Sequence, residues 1–244
     1  MTSGLYTPIN TLKPIGQDIW IADGPSVSFY GIPFPTRMTV VRLDKGKLWV
    51  HSPIAINKEL LDEINLLGDV KHLIAPNNIH YLSVGKWQEM YPDAQVWAAP
   101  NVADRAKKYN VAFPTSQELG NTPPKAWYQE IDQVYVQGNK ILHEIDFFHK
   151  KTKTLVLTDL IENFEAQKLP WYFAFLCKLA GNLSPDGKAP IDMRLAFSGG
   201  RSQAREAIAH MISWKPEKII LAHGKWYDKN GTAELKRAFR WLLS

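Results

Sequence analysis

Four stretches of this chain put polar side chains directly onto apolar, β-type runs. Pro76-Asn77-Asn78-Ile79-His80 follows VKHLIA, His143-Glu144 lies within KILHEIDFF, Thr158-Asp159 follows TLVL, and His223-Gly224 follows KIILA. Imidazole and carboxylate groups projected from strand ends into one place can hold a divalent cation, zinc, iron or manganese. The strand ends of a layered α/β protein are also where ligands are usually held. A single His at a strand end is more often a hydrogen-bonded structural residue, so the weight rests on the order of all four.

The elements needed to position them are readable around these runs. Arg37 to Leu43 and Lys47 to Val50 flank Asp44-Lys45-Gly46 as a hairpin, and Pro53 ends the second arm. Lys58 to Leu67 places Leu60, Leu61, Ile64 and Leu67 on one helical face, and Gly68 stops it. Strands are expected over Val70–Ala75, Gln95–Ala99, Asp132–Val136, Lys140–Phe148, Thr154–Thr158 and Lys218–Ala222. Helices are expected over Tyr81–Met90, Val102–Tyr109, Gln203–Trp214 and Thr232–Leu243, the last capped by Thr232. Hairpins and then strand–helix units, each occurring twice, imply an α/β fold of two face-to-face sheets with helices outside, a four-layer αββα sandwich. The expected organisation is a single domain over residues 1–244, with 162–200 as an aromatic-rich insertion.

Composition narrows the function. The chain has 244 residues, 45% hydrophobic and 22% charged, the balance of a globular protein. Its formal charge of +5 is spread along the chain, with no basic cluster to mark nucleic acid as a partner. Cys177 is the one cysteine, which excludes an intrachain disulfide and a cysteine-based zinc cluster, and its apolar surroundings make it a buried thiol. Neither a signal peptide nor a membrane-spanning stretch is visible, so the expected compartment is the cytoplasm. His149, before a Lys-rich turn, is expected to be exposed; His51, Ser52, His72 and His210 are read as structural.

In this order the motifs resemble the metallo-β-lactamase superfamily, from about Thr39 to the C-terminus. "VLTD" is similar to the family's strand-ending Asp, which makes Asp159 the counterpart of its metal-bridging residue, and "IILAHG" makes His223 the counterpart of its last His. Aligned at the strand end, "IAPNNIHYLSVGKW" puts His80 on the final His of the family's His-x-His-x-Asp-His loop and Asn77 on its second His. Ala75 then stands at the first His and Ile79 at the Asp. The family's intervening His falls in the region of His143 and Glu144. The chain also resembles an uncharacterised domain family within that superfamily, in which a Pro-Asn loop replaces the His-rich one; "APNNIHYLSVGKW", "FFHKKTKTLVLTDLIEN" and "IILAHGKWYDKNGTAELKRAFRWLL" carry that resemblance.

The resemblance implies a metal-dependent, hydrolase-like protein acting on a small-molecule substrate or ligand. His80, Glu144 or His143, Asp159 and His223 would hold one cation, with Asp159 or Glu144 orienting or deprotonating water. Loss of two ligands at Ala75 and Ile79 argues against a two-metal site. The alternative needs no metal: Asn77, His80, Asp159 and His223 would form a hydrogen-bonded network, and the fold would serve as a non-catalytic module binding a small molecule or a protein. Leu169 to Leu179 (LPWYFAFLCKL) is expected to be a helix started by Pro170 and stopped by Gly181. It is too apolar to stand in water uncovered and too short to span a bilayer. Its closeness to Asp159 in the chain leads to the expectation that Trp171 or Phe175, with Asn77, lines the substrate pocket.

Overall fold

The computed structural model describes residues 4–29 and 32–244. They form two compact units, Leu5–Gly120 and one built on Asn121–Ser244.

The first unit carries a seven-stranded sheet whose spatial order is its chain order. Strands β1 (Lys13–Gly16), β2 (Ile19–Phe29), β3 (Ile32–Arg42) and β4 (Lys47–His51) are antiparallel neighbours. β5 (Asp69–Ala75), β6 (Gln95–Ala98) and the two-residue β7 (Gln117–Glu118) add on in parallel. Parallel neighbours need a crossover, which helices α1 (Lys58–Leu67), α2 (Val84–Met90) and α3 (Val102–Lys108) supply. α1 begins where Asn57 Oδ1 accepts the Leu60 N–H at 3.0 Å, and it buries Leu60 and Ile64. It ends at Gly68, whose N–H reaches the Ile64 carbonyl. α1 and α2 both pack on β5. Between β3 and β4 the turn Asp44–Gly46 takes positive φ at Lys45 and Gly46, as a tight reversal needs.

The second unit holds a four-stranded sheet in the order β11-β10-β9-β8. β8 (Ile131–Val136), β9 (Glu144–His149) and β10 (Thr154–Val156) form an antiparallel meander, and β11 (Lys218–Ile220) lies parallel to β10. The long stretch between β10 and β11 contains α4 (Trp171–Ala180), α5 (Ile191–Ala196) and α6 (Arg201–Ser213), and the chain ends in α7 (Gly231–Ala238) and α8 (Arg240–Leu243). α6 packs on β8 and α7 on β11.

Local expectations differ in places, and the single helix expected over Thr232–Leu243 is two, α7 and α8. β9 starts at Glu144 rather than Lys140 because Asn139 Oδ1 takes the N–H groups of Ile141 and Leu142 and bends the chain there. Every residue of β9 is buried, and His149 goes with it, its Nδ1 2.8 Å from Thr152 Oγ1. Thr232 does not cap α7: its hydroxyl donates to the Pro216 carbonyl, and Asn230 holds the cap position in a left-handed conformation.

Candidate functional site

In the first unit the polar residues sit past the C-terminal ends of parallel strands. β5 stops at Pro76, which has no N–H to donate. The Asn77 side chain is fully buried, and its Oδ1 accepts the N–H groups of Ile79 and His80, both at 2.9 Å. That oxygen therefore shapes the loop and presents His80. His80 is half-buried with Nδ1 2.8 Å from Ser52 Oγ. Ser52 is fixed in turn: it follows β4 at φ 51° and donates its N–H to the Ile74 carbonyl at 3.0 Å. His51 is buried and stacked on Trp49, its pKa lowered to about 3 by burial first and then by the charge of His80, so it stays neutral. His72 receives the Trp97 indole N–H at 3.2 Å and is held down to about 4, mainly by burial, as a structural residue would be.

In the second unit Asp159 and His223 follow the adjacent parallel strands β10 and β11. Their side chains are buried, with Asp159 Oδ1 3.1 Å from His223 Nε2. Glu144 lies fully buried beside this turn. Its carboxylate accepts N–H groups from Thr158 at 2.9 Å, Asp159 at 2.9 Å and Leu160 at 3.4 Å. Such bonds to a carboxylate are charge-assisted and strong, so Glu144 fixes the backbone from which Asp159 projects. His143, just before β9, instead has Nδ1 2.7 Å from the Tyr135 hydroxyl. Asp146, two residues along β9, is fully buried beside Glu144. Burial first, and Glu144 next, push its pKa well above the ordinary carboxylate range, so it holds its proton.

Residues 162–164 form a brace not foreseen from the sequence. The Asn163 N–H donates to the His223 carbonyl at 3.3 Å, its Nδ2 donates to the Lys225 carbonyl at 2.7 Å, and its Oδ1 accepts the Gly187 N–H at 3.2 Å. The Phe164 ring stacks on His223 at 6.5 Å. Gly224 turns at φ 90°, and a Cβ there would sit 2.2 Å from the Asn163 carbonyl oxygen, so only glycine fits. Glu162 is buried and accepts from Asn182 Nδ2 at 2.6 Å. Burial raises its pKa to about 7, against the opposing pull of His223. Within "LTDLIEN" the one available signal was a carboxylate and an amide three and four residues past a candidate ligand.

α4 holds itself to its unit through Phe173 and Cys177, the thiol pushed up to about 12 by burial. Trp171 is 83% exposed and Phe175 57% exposed.

The donors that suit a divalent cation are His80 in the first unit and Asp159 and His223 in the second. Two ligands at about 2.0–2.1 Å from a tetrahedral ion stand roughly 3.3 Å apart, so the separation of Asp159 and His223 fits a shared ion. Glu144, already engaged with three N–H groups, fits worse.

Solved structures of metallo-β-lactamases have this fold. A metallo-β-lactamase from Pontibacter korlensis is 16% identical, with a TM-score of 0.64 over 95% of this chain and 98% of that one. The FIM-1 metallo-β-lactamase from Pseudomonas aeruginosa, in a mono-zinc form, is 10% identical, with a TM-score of 0.65 over 96% of each chain. DIM-1 metallo-β-lactamase is 14% identical, with a TM-score of 0.64 over 95% of this chain and 96% of that one. The chain therefore has the metallo-β-lactamase-like α/β fold. A family model described as "Domain of unknown function (DUF4336)" matches residues 17–174, and the chain belongs to that family. No curated protein matches it.

Proposed function

We propose that this protein is a metal-dependent, hydrolase-like member of its fold that holds one divalent cation through His80, Asp159 and His223. The observation that carries the reading is the buried Asp159–His223 pair at the ends of adjacent parallel strands, its separation right for two ligands of one ion. With His80 Nδ1 held 2.8 Å from Ser52 Oγ, Nε2 would be the nitrogen that meets a cation, an orienting contact of the kind metal-bound imidazoles usually have. Three protein ligands leave an open position, as in catalytic sites.

A bound ion would supply Lewis acidity toward a carbonyl or phosphoryl oxygen. Asp159 would orient the attacking water and take its proton, and Glu144 would keep the Asp159 turn in place. Asn77 would shape the loop that presents His80. The two units act in this reading as one domain, with 162–200 as its insertion. Ala75 and Ile79, at positions where the fold's enzymes carry ligands, favour one ion over two. They equally favour the second reading, a non-catalytic binding module.

Metal analysis of protein purified without added metal decides between them. The expectation is one equivalent of zinc, iron or manganese per chain, depleted more in Asp159→Ala than in Asn77→Ala. Two equivalents in the parent, none, or equal retention in both variants would refute it.

A further inference from the structure

Among the described residues, half of the large apolar side chains left exposed fall between Trp171 and Leu195. Five belong to α4: Trp171, Tyr172, Phe175, Leu176 and Leu179, from 50% to 83% exposed. At about 100° per residue these five lie within an arc of roughly 140°. Phe173 and Cys177, the two buried positions, lie on the opposite side and fasten the helix to its unit. α4 thus has two apolar faces, one used in the core and one turned outward. Ile191 and Leu195 of α5, one turn apart, are exposed as well, and Arg194 beside them donates to the Ala180 carbonyl at the end of α4.

Cations rim this stripe. Lys178 is exposed at its flank, Lys168 precedes the helix, and the Lys188 and Arg194 side chains crowd Gly181 at its C-terminal end. These four cations outnumber Glu165, Asp186 and Asp192 on the same stretch by one.

We propose that the outward face of α4 is a membrane-surface anchor that beds in the headgroup–acyl boundary of an anionic bilayer. Ten residues make a helix about 15 Å long, half the thickness of a hydrocarbon core, so it lies in the interface and does not cross it. Among the described residues no helix is long and apolar enough to cross. Trp and Tyr favour the headgroup level, and lysine stems reach from there to phosphate. A second copy of the chain fits the same face less well. A two-fold contact sets a patch against itself, so the cations of one rim would meet those of the other, whereas an anionic leaflet meets them with opposite charge. The chain's net charge of +5 acts in the same direction.

The experiment is co-sedimentation of the whole chain, in EDTA so that the metal reading is not involved, with phosphatidylcholine vesicles and with vesicles about one third phosphatidylglycerol. The expected result is binding to the anionic vesicles, weakened by salt, and reduced roughly ten-fold or more in Trp171→Ser/Phe175→Ser and several-fold in Lys178→Glu. All three positions are exposed, and circular dichroism checks that the variants stay folded. Failure to bind anionic vesicles, or equal binding by the parent and the Trp171→Ser/Phe175→Ser variant, overturns the proposal. So does light scattering that finds a dimer which this double variant turns into a monomer, because a second copy would then own the face.

Discussion

Replacing Glu162 by Gln should change how stability depends on pH in one specific window. Glu162 is buried against Asn182, and burial lifts its carboxyl from the ordinary 4.5 to about 7. A raised acid contributes fully below its unfolded value, and the contribution is lost as pH rises through the folded value. Between pH 4.5 and about 7 the unfolded chain gives up this proton while the folded chain keeps it. At about 1.4 kcal/mol for each pH unit, the interval is worth roughly 3 kcal/mol. Gln matches the neutral acid in shape, and its carbonyl oxygen can accept from Asn182 as Glu162 Oε2 does. The variant should therefore equal the parent near pH 4.5 and exceed it by up to about 3 kcal/mol at pH 8. Urea unfolding of both proteins in EDTA, at half-unit steps from pH 4.5 to 8, gives the two profiles. Their difference cancels the opposite slope from His51, whose lowered pKa makes stability fall as pH drops from 6.5 toward about 3. A difference that stays flat with pH, or one that shows the parent more stable at pH 8, would refute the burial argument.

Gly224→Ala should destabilise by more than about 3 kcal/mol in denaturant unfolding, because it adds strain at positive φ to overlap with the Asn163 carbonyl. Glu144→Gln should cost about 2–4 kcal/mol by the same assay, since an amide cannot match a carboxylate's grip on the N–H groups of residues 158–160. In metal analysis Asp159→Ala should lose more of the single equivalent than Asn77→Ala does, and Trp171→Ser/Phe175→Ser should sediment with anionic vesicles roughly ten-fold less than the parent or weaker.

α1 was legible to the residue, since the Leu60/Leu61/Ile64/Leu67 spacing and Gly68 specify the boundaries found. β3 begins at Ile32, five residues before the Arg37–Leu43 run that signalled it. The β2–β3 ladder continues through Pro33 and Pro35, with a register shift between Gly24 and Ser26. The meeting of Asp159 and His223 was legible because each follows a strand with a short apolar run, and parallel neighbours deliver their C-terminal ends to the same side. The part played by Glu144 was not. Two adjacent polar residues, His143 and Glu144, gave no sign of which would turn toward the β10 end, and the donors to the Glu144 carboxylate are backbone N–H groups that carry no side-chain signature. Glu162 and Asn163 were hidden for a related reason: their partners, Asn182, Gly187 and His223, are distant in the chain.

The order of the first sheet has a consequence for how the chain is made. Each strand from β2 to β7 pairs with the strand synthesised immediately before it, so closing the sheet needs only short loops and single crossovers. Short-range pairings form quickly, and domains tend to assemble from the N-terminus as the ribosome releases them. This half of the protein can zip up strand by strand, the loop bearing His80 included, while the rest is still being translated. The second sheet has to wait. β10 finds its parallel neighbour only when Lys218–Ile220 has emerged to pair with Thr154–Val156, so His223 is the last candidate ligand to be put in place.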